Sequence, residues 1–304
     1  MSIINKVIPG LNSSAIRSSF SVFPKGHAIP KIIHQTFYQS DLPETLQKNV
    51  NKLKELNREW EYRFYDDTAI VDFITANYPA HVLKCFERLD PRYGAARADL
   101  FRYLLLYKHG GVYLDIKSSA TRPLDSVLKP DDVYLLSNWQ NKPGELYEGW
   151  GLHDELKHMQ NGEFQQWYIA AAPGHPFLKA VIETVLRNIK SYNPALHGVG
   201  KHGVLRVTGP VPYSLSISRH LGNCKHRLVN SIEDLGFAYS VYDKQAHVGI
   251  FKTHYTALAA PVVKMSWTGM HMSRLISKAQ SFRRALIISL SDRKEIRKGT
   301  LNRD

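Results

Sequence analysis

The order of segments along this chain predicts an α/β fold with a mostly parallel central sheet flanked by helices. Three observations carry that expectation. Short apolar runs bounded by turn residues alternate with stretches of helical periodicity. The run from Gly94 to Lys117 reads as a helix, a Gly110-Gly111 stop and a buried strand delivered straight from it. The predicted strands end near Phe37, Asp66 and Asp115, and in parallel sheets ligands gather at the carboxyl ends of strands.

Residues 1–28 are Ser-rich and weakly periodic, and read as a loosely ordered lead. Lys31 to Tyr38 follows Pro30 as a first buried strand. Leu42 to Trp60 is helical in pattern, with Leu46, Val50, Leu53 and Leu56 three and four residues apart. Tyr62 to Tyr65 is a second strand, and Thr68 to Tyr78 a short helix stopped by Pro79. Asp90 suits the cap of the next helix, Pro91 its first turn and Gly110 the position past its end. Val112 to Ile116 is a third strand and Asp132 to Ser137 a fourth. Residues 139–170 are polar and aromatic and read as a variable loop region. Pro176 to Tyr192 is an amphipathic helix, His197 to Pro212 is rich in glycine and basic residues, and His247 to Tyr255 is a late strand.

Composition narrows the classes. The 304 residues are 43% hydrophobic and 22% charged, ordinary for a globular chain with a sizeable core. Two cysteines, Cys85 and Cys224, form no disulfide framework and no zinc spacing, and favour a reducing compartment. No apolar run reaches the length of a membrane span, and Met1 to Phe23 lacks a signal-peptide core, so a cytoplasmic location is expected. The net charge of +13 favours polyanionic partners. No nucleic-acid motif accompanies it, so nucleic acid is not expected as a partner. Residues 271–304 hold nine Lys/Arg against three Asp/Glu with apolar residues at helical spacing. They read either as a solvated terminal helix or as a basic amphipathic helix on the inner face of an anionic membrane.

The chemistry concentrates in the Gly94–Lys117 run. Asp99 and Arg102, three apart on one helix, share a face. A packing ion pair is the plain reading of such a couple. The double-glycine turn alters it, because it brings the strand end back beside the helix. Asp115 ends an otherwise apolar strand, where a carboxylate must be hydrated, hydrogen-bonded or bound to a cation. Such an acid can accept ribose hydroxyls or hold a hydrated divalent cation against a diphosphate. Trp139, Trp150 and Trp167 fall in or near the variable region, suited to stacking on sugar rings or to core packing.

These motifs resemble glycosyltransferase family 32 and the sugar-binding DXD-motif glycosyltransferases, with yeast-type α-1,6-mannosyltransferases and bacterial capsule and lipopolysaccharide sugar transferases among them. Ile32-Ile33-His34-Gln35-Thr36-Phe37 resembles the family's first strand, which implies donor contacts from His34, Gln35 and Thr36 and stacking of the nucleotide base on Phe37. Asp99 and Arg102 match the helix acid and arginine that bind the donor. Gly110-Gly111-Val112-Tyr113-Leu114-Asp115 matches the run into the DXD motif. Ala172 to Leu178 and Thr208-Gly209-Pro210 also match, as does the late Ser266-Trp267 pair that grips the diphosphate in family members. By the same resemblance Arg97 and Gly111 border the donor. Asp66 either contacts the base or caps the following helix.

The resemblance implies a GT-A type nucleotide-diphospho-sugar transferase fold over residues 29–270, and transfer of a sugar with retention to a saccharide or glycolipid acceptor. The expected catalytic set is Asp99, Arg102, Asp115 and Lys117. Lys117 departs from the family, whose second DXD acid binds a divalent cation, Mn²⁺ or Mg²⁺. Three readings follow: a cation held by Asp115 and His254, the Lys117 ammonium standing in for that cation, or lost activity. The alternatives to the enzyme are a degenerate donor-binding homologue and a basic membrane- or polyanion-binding protein.

Overall fold

A computed structural model describes residues 20–242 and 258–265. The predicted strand at His247–Tyr255, the Ser266-Trp267 pair, His254 and the basic segment 271–304 lie outside them. Strands β1 (Ile32–Thr36), β2 (Glu61–Tyr65), β3 (Gly111–Leu114) and β4 (Tyr168–Ala171) form one sheet in the order β2-β1-β3-β4. The first three run parallel, with Ile33 opposite both Tyr62 and Val112, and β4 runs antiparallel to β3, pairing Leu114 with Tyr168. The central sheet is thus mostly parallel and flanked by helices, as expected.

The helices are α1 (Glu44–Leu56), α2 (Asp67–Asn77), α3 (Ala80–Arg88), α4 (Gly94–His109), α5 (Pro176–Lys190), α6 (Gly200–Val207) and α7 (Pro210–Ser218). α1 buries Leu46, Val50 and Leu53, the stripe its spacing predicts. α4 differs: every residue from Asp99 to Tyr107 is buried. A helix apolar on all sides belongs inside the molecule, and α4 packs against α2 and α5. Its burial forces Asp99 and Arg102 to find partners inside the protein.

Three expectations change. Asp90 caps no helix; α4 begins at Gly94, and the Asp90 carboxylate instead grips the Arg92 side chain at 2.6 Å. α3 was hidden because Pro79, taken as a stop, opens a new helix as its N-cap. The fourth strand of the sheet is β4, not Asp132–Ser137, of which only Leu135–Leu136 is strand, paired with Arg227–Leu228. The glycine-rich stretch after His197 forms α6 and the start of α7. Among the described residues no helix is long and apolar enough to cross a membrane.

The turn from α4 into β3 is set by contact. Gly111 has φ +99°, and a Cβ there would lie 2.5 Å from the Ile32 carbonyl oxygen and 3.0 Å from His34 Nε2. Only glycine lets β3 approach β1 so closely. Gly111→Ala will destabilise the fold by more than about 2 kcal/mol, from strain plus backbone clash, which urea titration of the two proteins measures.

Candidate functional site

Each of the three parallel strands ends in a residue singled out from sequence: Phe37 after β1, Asp66 after β2 and Asp115 after β3. They do different things. Phe37 is 4% exposed and packs with Leu46, Val50 and Ile116. Asp66 caps α2, its Oδ1 accepting the Ala69 amide at 2.9 Å. Asp115 faces the site.

Asp115 is fixed through its main chain. Its amide donates to the Trp167 carbonyl at 2.8 Å, and its carbonyl receives the Ser118 amide at 2.7 Å, closing a tight turn. The Gln35 amide reaches the Leu114 and Asp115 carbonyls at 3.5 and 3.3 Å, while Tyr62 donates to its other end at 3.0 Å. Asn49 donates to the carbonyls of Ile116 and Ser118 at 3.2 and 2.7 Å. So Gln35 serves the site by clamping the turn that carries Asp115. Thr36 donates to the Tyr65 carbonyl at 2.7 Å, and buried His34 ties β1 to the Gly110 carbonyl at 2.9 Å. Burial lowers the His34 pKa to about 3, so the ring is neutral and donates from Nε2. Thr36 and His34 hold strands together. Their expected contact with a donor does not fit these occupied polar atoms.

The helix and the strand end converge as the sequence suggests. Arg102 Nη2 lies 3.3 Å from Asp99 Oδ1 and 3.0 Å from Asp115 Oδ1. Its Nη1 donates to the Gln166 carbonyl at 2.5 Å, its Nε to the Ala98 carbonyl at 3.3 Å, and its guanidinium sits 4.6 Å from the Tyr113 ring centre. Burial opposes the cation, but Asp115, Tyr113 and Asp99 outweigh it and hold Arg102 charged. The other Asp99 oxygen accepts the Thr208 hydroxyl at 2.9 Å. Tyr103 completes the frame, its single hydroxyl proton shared between the Thr208 carbonyl at 3.0 Å and the Gln166 side-chain oxygen.

Exposure separates the roles. The side chains of Asp99 and Arg102 are 4% and 5% exposed, that of Asp115 24%. Asp99 lies behind Arg102 with both oxygens engaged. It is better described as a positioning residue than as the contact to sugar hydroxyls that the sequence suggests. Arg97, also expected at the donor, lies over the Phe86 ring at 4.4 Å. Tyr113, Gln166, Thr208 and Tyr239 complete the cluster. Of these Tyr113 and Thr208 stood in motifs.

Burial is the main force on Asp99 and pushes its pKa up to about 6, against the pull of Arg102. The folded state therefore holds this proton more tightly than the unfolded chain. Its contribution is full below the ordinary carboxylate pKa of about 4 and is lost as pH rises through about 6. Asp99→Asn will remove that loss, so its stability relative to the native protein will rise between pH 4 and 6 and level off above. Urea midpoints across that range measure it.

Lys117 follows on the same turn. Its ammonium donates to the Tyr239 hydroxyl at 2.8 Å and lies 4.0 Å from that ring's centre. Burial lowers its pKa, with Asp115 opposing the shift. Among the described residues, the charged groups around Asp115 are thus two cations, Arg102 and Lys117, and the enclosed Asp99. No group of three His, Cys, Asp or Glu able to hold a metal occurs among them. A divalent cation needs several oxygen ligands, and the described residues do not fit one at Asp115. The other residue expected at a metal, His254, is outside them.

Comparison with known proteins points the same way. Residues 43–134 match the model of the glycosyltransferase sugar-binding region containing the DXD motif. In this region the chain is similar to the DXD-motif glycosyltransferases. It is 30% identical over 166 residues to inositol phosphoceramide mannosyltransferase 3 of Schizosaccharomyces pombe, covering 55% of this chain and 40% of that one. It is 38% identical over 105 residues to a mannosyl phosphorylinositol ceramide synthase of Saccharomyces cerevisiae, covering 34% and 27%. The chain thus spans less than half the length of these relatives. The UDP-bound glycosyltransferase domain of the YGT toxin aligns with a TM-score of 0.47 at 8% identity, over 71% of this chain and 82% of that domain.

Proposed function

We propose that this chain is a glycosyltransferase that moves a hexose from a nucleotide-diphospho-sugar to a hydroxyl of a saccharide or glycolipid acceptor, with retention. The observation that carries it is the meeting of Asp99 and Asp115 on one buried arginine, at 3.3 and 3.0 Å, with Asp115 left partly open at the carboxyl end of the parallel strands. The mannosyltransferases among its relatives favour mannose as the sugar, and the ceramide in their names favours a glycolipid acceptor. Association with a membrane face, expected from the basic C-terminal segment, is part of the same proposal.

In this reading Asp115 orients the hydroxyls of the donor, and the fixed positive charges meet the diphosphate as it leaves. Arg102 has most of its donors occupied, so it acts by holding Asp115 and by its field. Lys117 is the cation with capacity to spare: one of three N–H groups meets Tyr239. We assign it to the departing diphosphate, where family members use a metal. Lys117→Ala will lower transfer by about 10²-fold, the scale of losing one transition-state donor, and EDTA will leave native turnover unchanged. Loss of native turnover on chelation would sink the lysine assignment.

Lys117 also supports a second reading, a homologue that binds donor without turning it over. Donor hydrolysis decides between them. Incubating the protein with GDP-mannose and reading release of GDP will show turnover if the first reading is right, and a thermal shift without release if the second is.

A further inference from the structure

Beside the acid–arginine cluster lies an aromatic assembly that the reaction has not used. Trp139, Tyr147, Trp150, Trp167 and Tyr239 meet mostly edge to face. Tyr239 lies 5.3 Å from Trp139, 5.9 Å from Trp150 and 5.7 Å from Trp167, centre to centre. Trp150 also lies 5.2 Å from Trp139 and from Tyr147. The assembly joins the site directly, because Tyr239 carries the Lys117 ammonium and the Trp167 carbonyl receives the Asp115 amide.

Trp139 and Trp167 are 8% and 4% exposed, as structural aromatics are, whereas Trp150 is 41% exposed. Its exposure is not that of a slack loop. Its amide donates to the Tyr147 carbonyl at 2.9 Å, its carbonyl receives the amide of buried Asn141 at 2.8 Å, and the Gly149 amide binds the Asn141 carbonyl at 3.0 Å. Gly149 and Gly151, on either side, have φ of +76° and +73°. A Cβ on Gly151 would meet Glu163 at 2.7 Å and Trp139 at 2.8 Å. The main chain is built to present this indole to solvent while its neighbours hold its edge.

Polar groups border it. Glu163 accepts Trp139 Nε1 at 2.7 Å and faces His153 Nε2 at 2.6 Å. A flat aromatic face with a few fixed polar groups at its rim is the surface that a six-membered polyol ring takes. The ring's axial C–H groups lie on the indole and its hydroxyls reach the rim.

We infer that Trp150 is the floor of an acceptor subsite that binds a pyranose or cyclitol ring next to Asp115 and Lys117. This rests on the transferase reading, yet its test reads binding without turnover. Saturation-transfer NMR with methyl α-D-mannopyranoside and with myo-inositol as probes will show ring protons contacting the native protein. The signal will fall at least fivefold in Trp150→Ala and return in Trp150→Phe, while the thermal shift given by GDP stays. In transfer assays, Trp150→Ala will raise the half-saturating acceptor concentration about tenfold and leave that for GDP-mannose alone. Equal saturation transfer in native protein and Trp150→Ala, or none with either probe, overturns the subsite. Trp150-dependent ring binding without any GDP shift keeps the subsite and overturns the transferase reading instead.

Discussion

Replacing Arg102 with methionine will cost the fold about 3–5 kcal/mol, the scale seen when one partner of a buried ion pair is removed, and will abolish transfer. The size follows from what remains. Asp99 is 3% exposed and loses the cation that offsets its burial, keeping only Thr208 and Gln166 as polar partners. The Gln166 carbonyl loses a donor at 2.5 Å, and the Tyr113 ring loses the guanidinium packed on it. Methionine fills much of the space but satisfies none of these groups. Urea unfolding gives the stability. The interpretation carries a second condition: Arg102→Met combined with Asp99→Asn will be more stable than Arg102→Met alone, because the uncompensated charge has gone. If the double variant is weaker by the sum of the two single losses, the arginine is not there to balance Asp99.

The same triad shows what sequence can and cannot convey. Asp99, Arg102 and Asp115 were legible because helix spacing and a two-glycine turn are local rules, and together they return the strand end to the helix face. The parallel run of the first three strands followed from alternating strands and helices, whereas their order, β2-β1-β3, did not. β4 was not legible. Tyr168–Ala171 is four apolar residues after a long loop, a run too short for periodicity to assign. α3 was missed for a local reason, since a proline reads equally as a stop and as a start. The functional division between Asp99 and Asp115 was invisible. Two acids of the same type differ because one lies within an all-apolar helix and the other just past a strand. Burial of that kind is decided by the packing of α4 against α2 and α5, not by spacing. Gln166 and Tyr239 carried no signal at all. Their positions depend on loops brought home from more than sixty and a hundred residues away.

Asp115→Asn will lower transfer by about 10³-fold or more, the upper range for removing one electrostatic contact from a transition state, while stability stays within about 1 kcal/mol of native, as for a half-open polar substitution. The contrast with Arg102→Met is the point. The amide keeps the shape of the carboxylate, and its oxygen still accepts from Arg102 at 3.0 Å and Tyr113 at 3.3 Å. The main-chain clamp from Gln35, Asn49 and Trp167 does not involve the side chain. What changes is charge: Arg102 and Lys117 lose the partly exposed anion between them, and the described part of the site loses its one carboxylate open to a substrate. A thermal melt beside a transfer assay separates the two effects. Native-like melting with transfer near background assigns the loss to chemistry at Asp115. Transfer within a few fold of native would mean that the sugar is oriented elsewhere, and the convergence of the two acids would then be architecture alone.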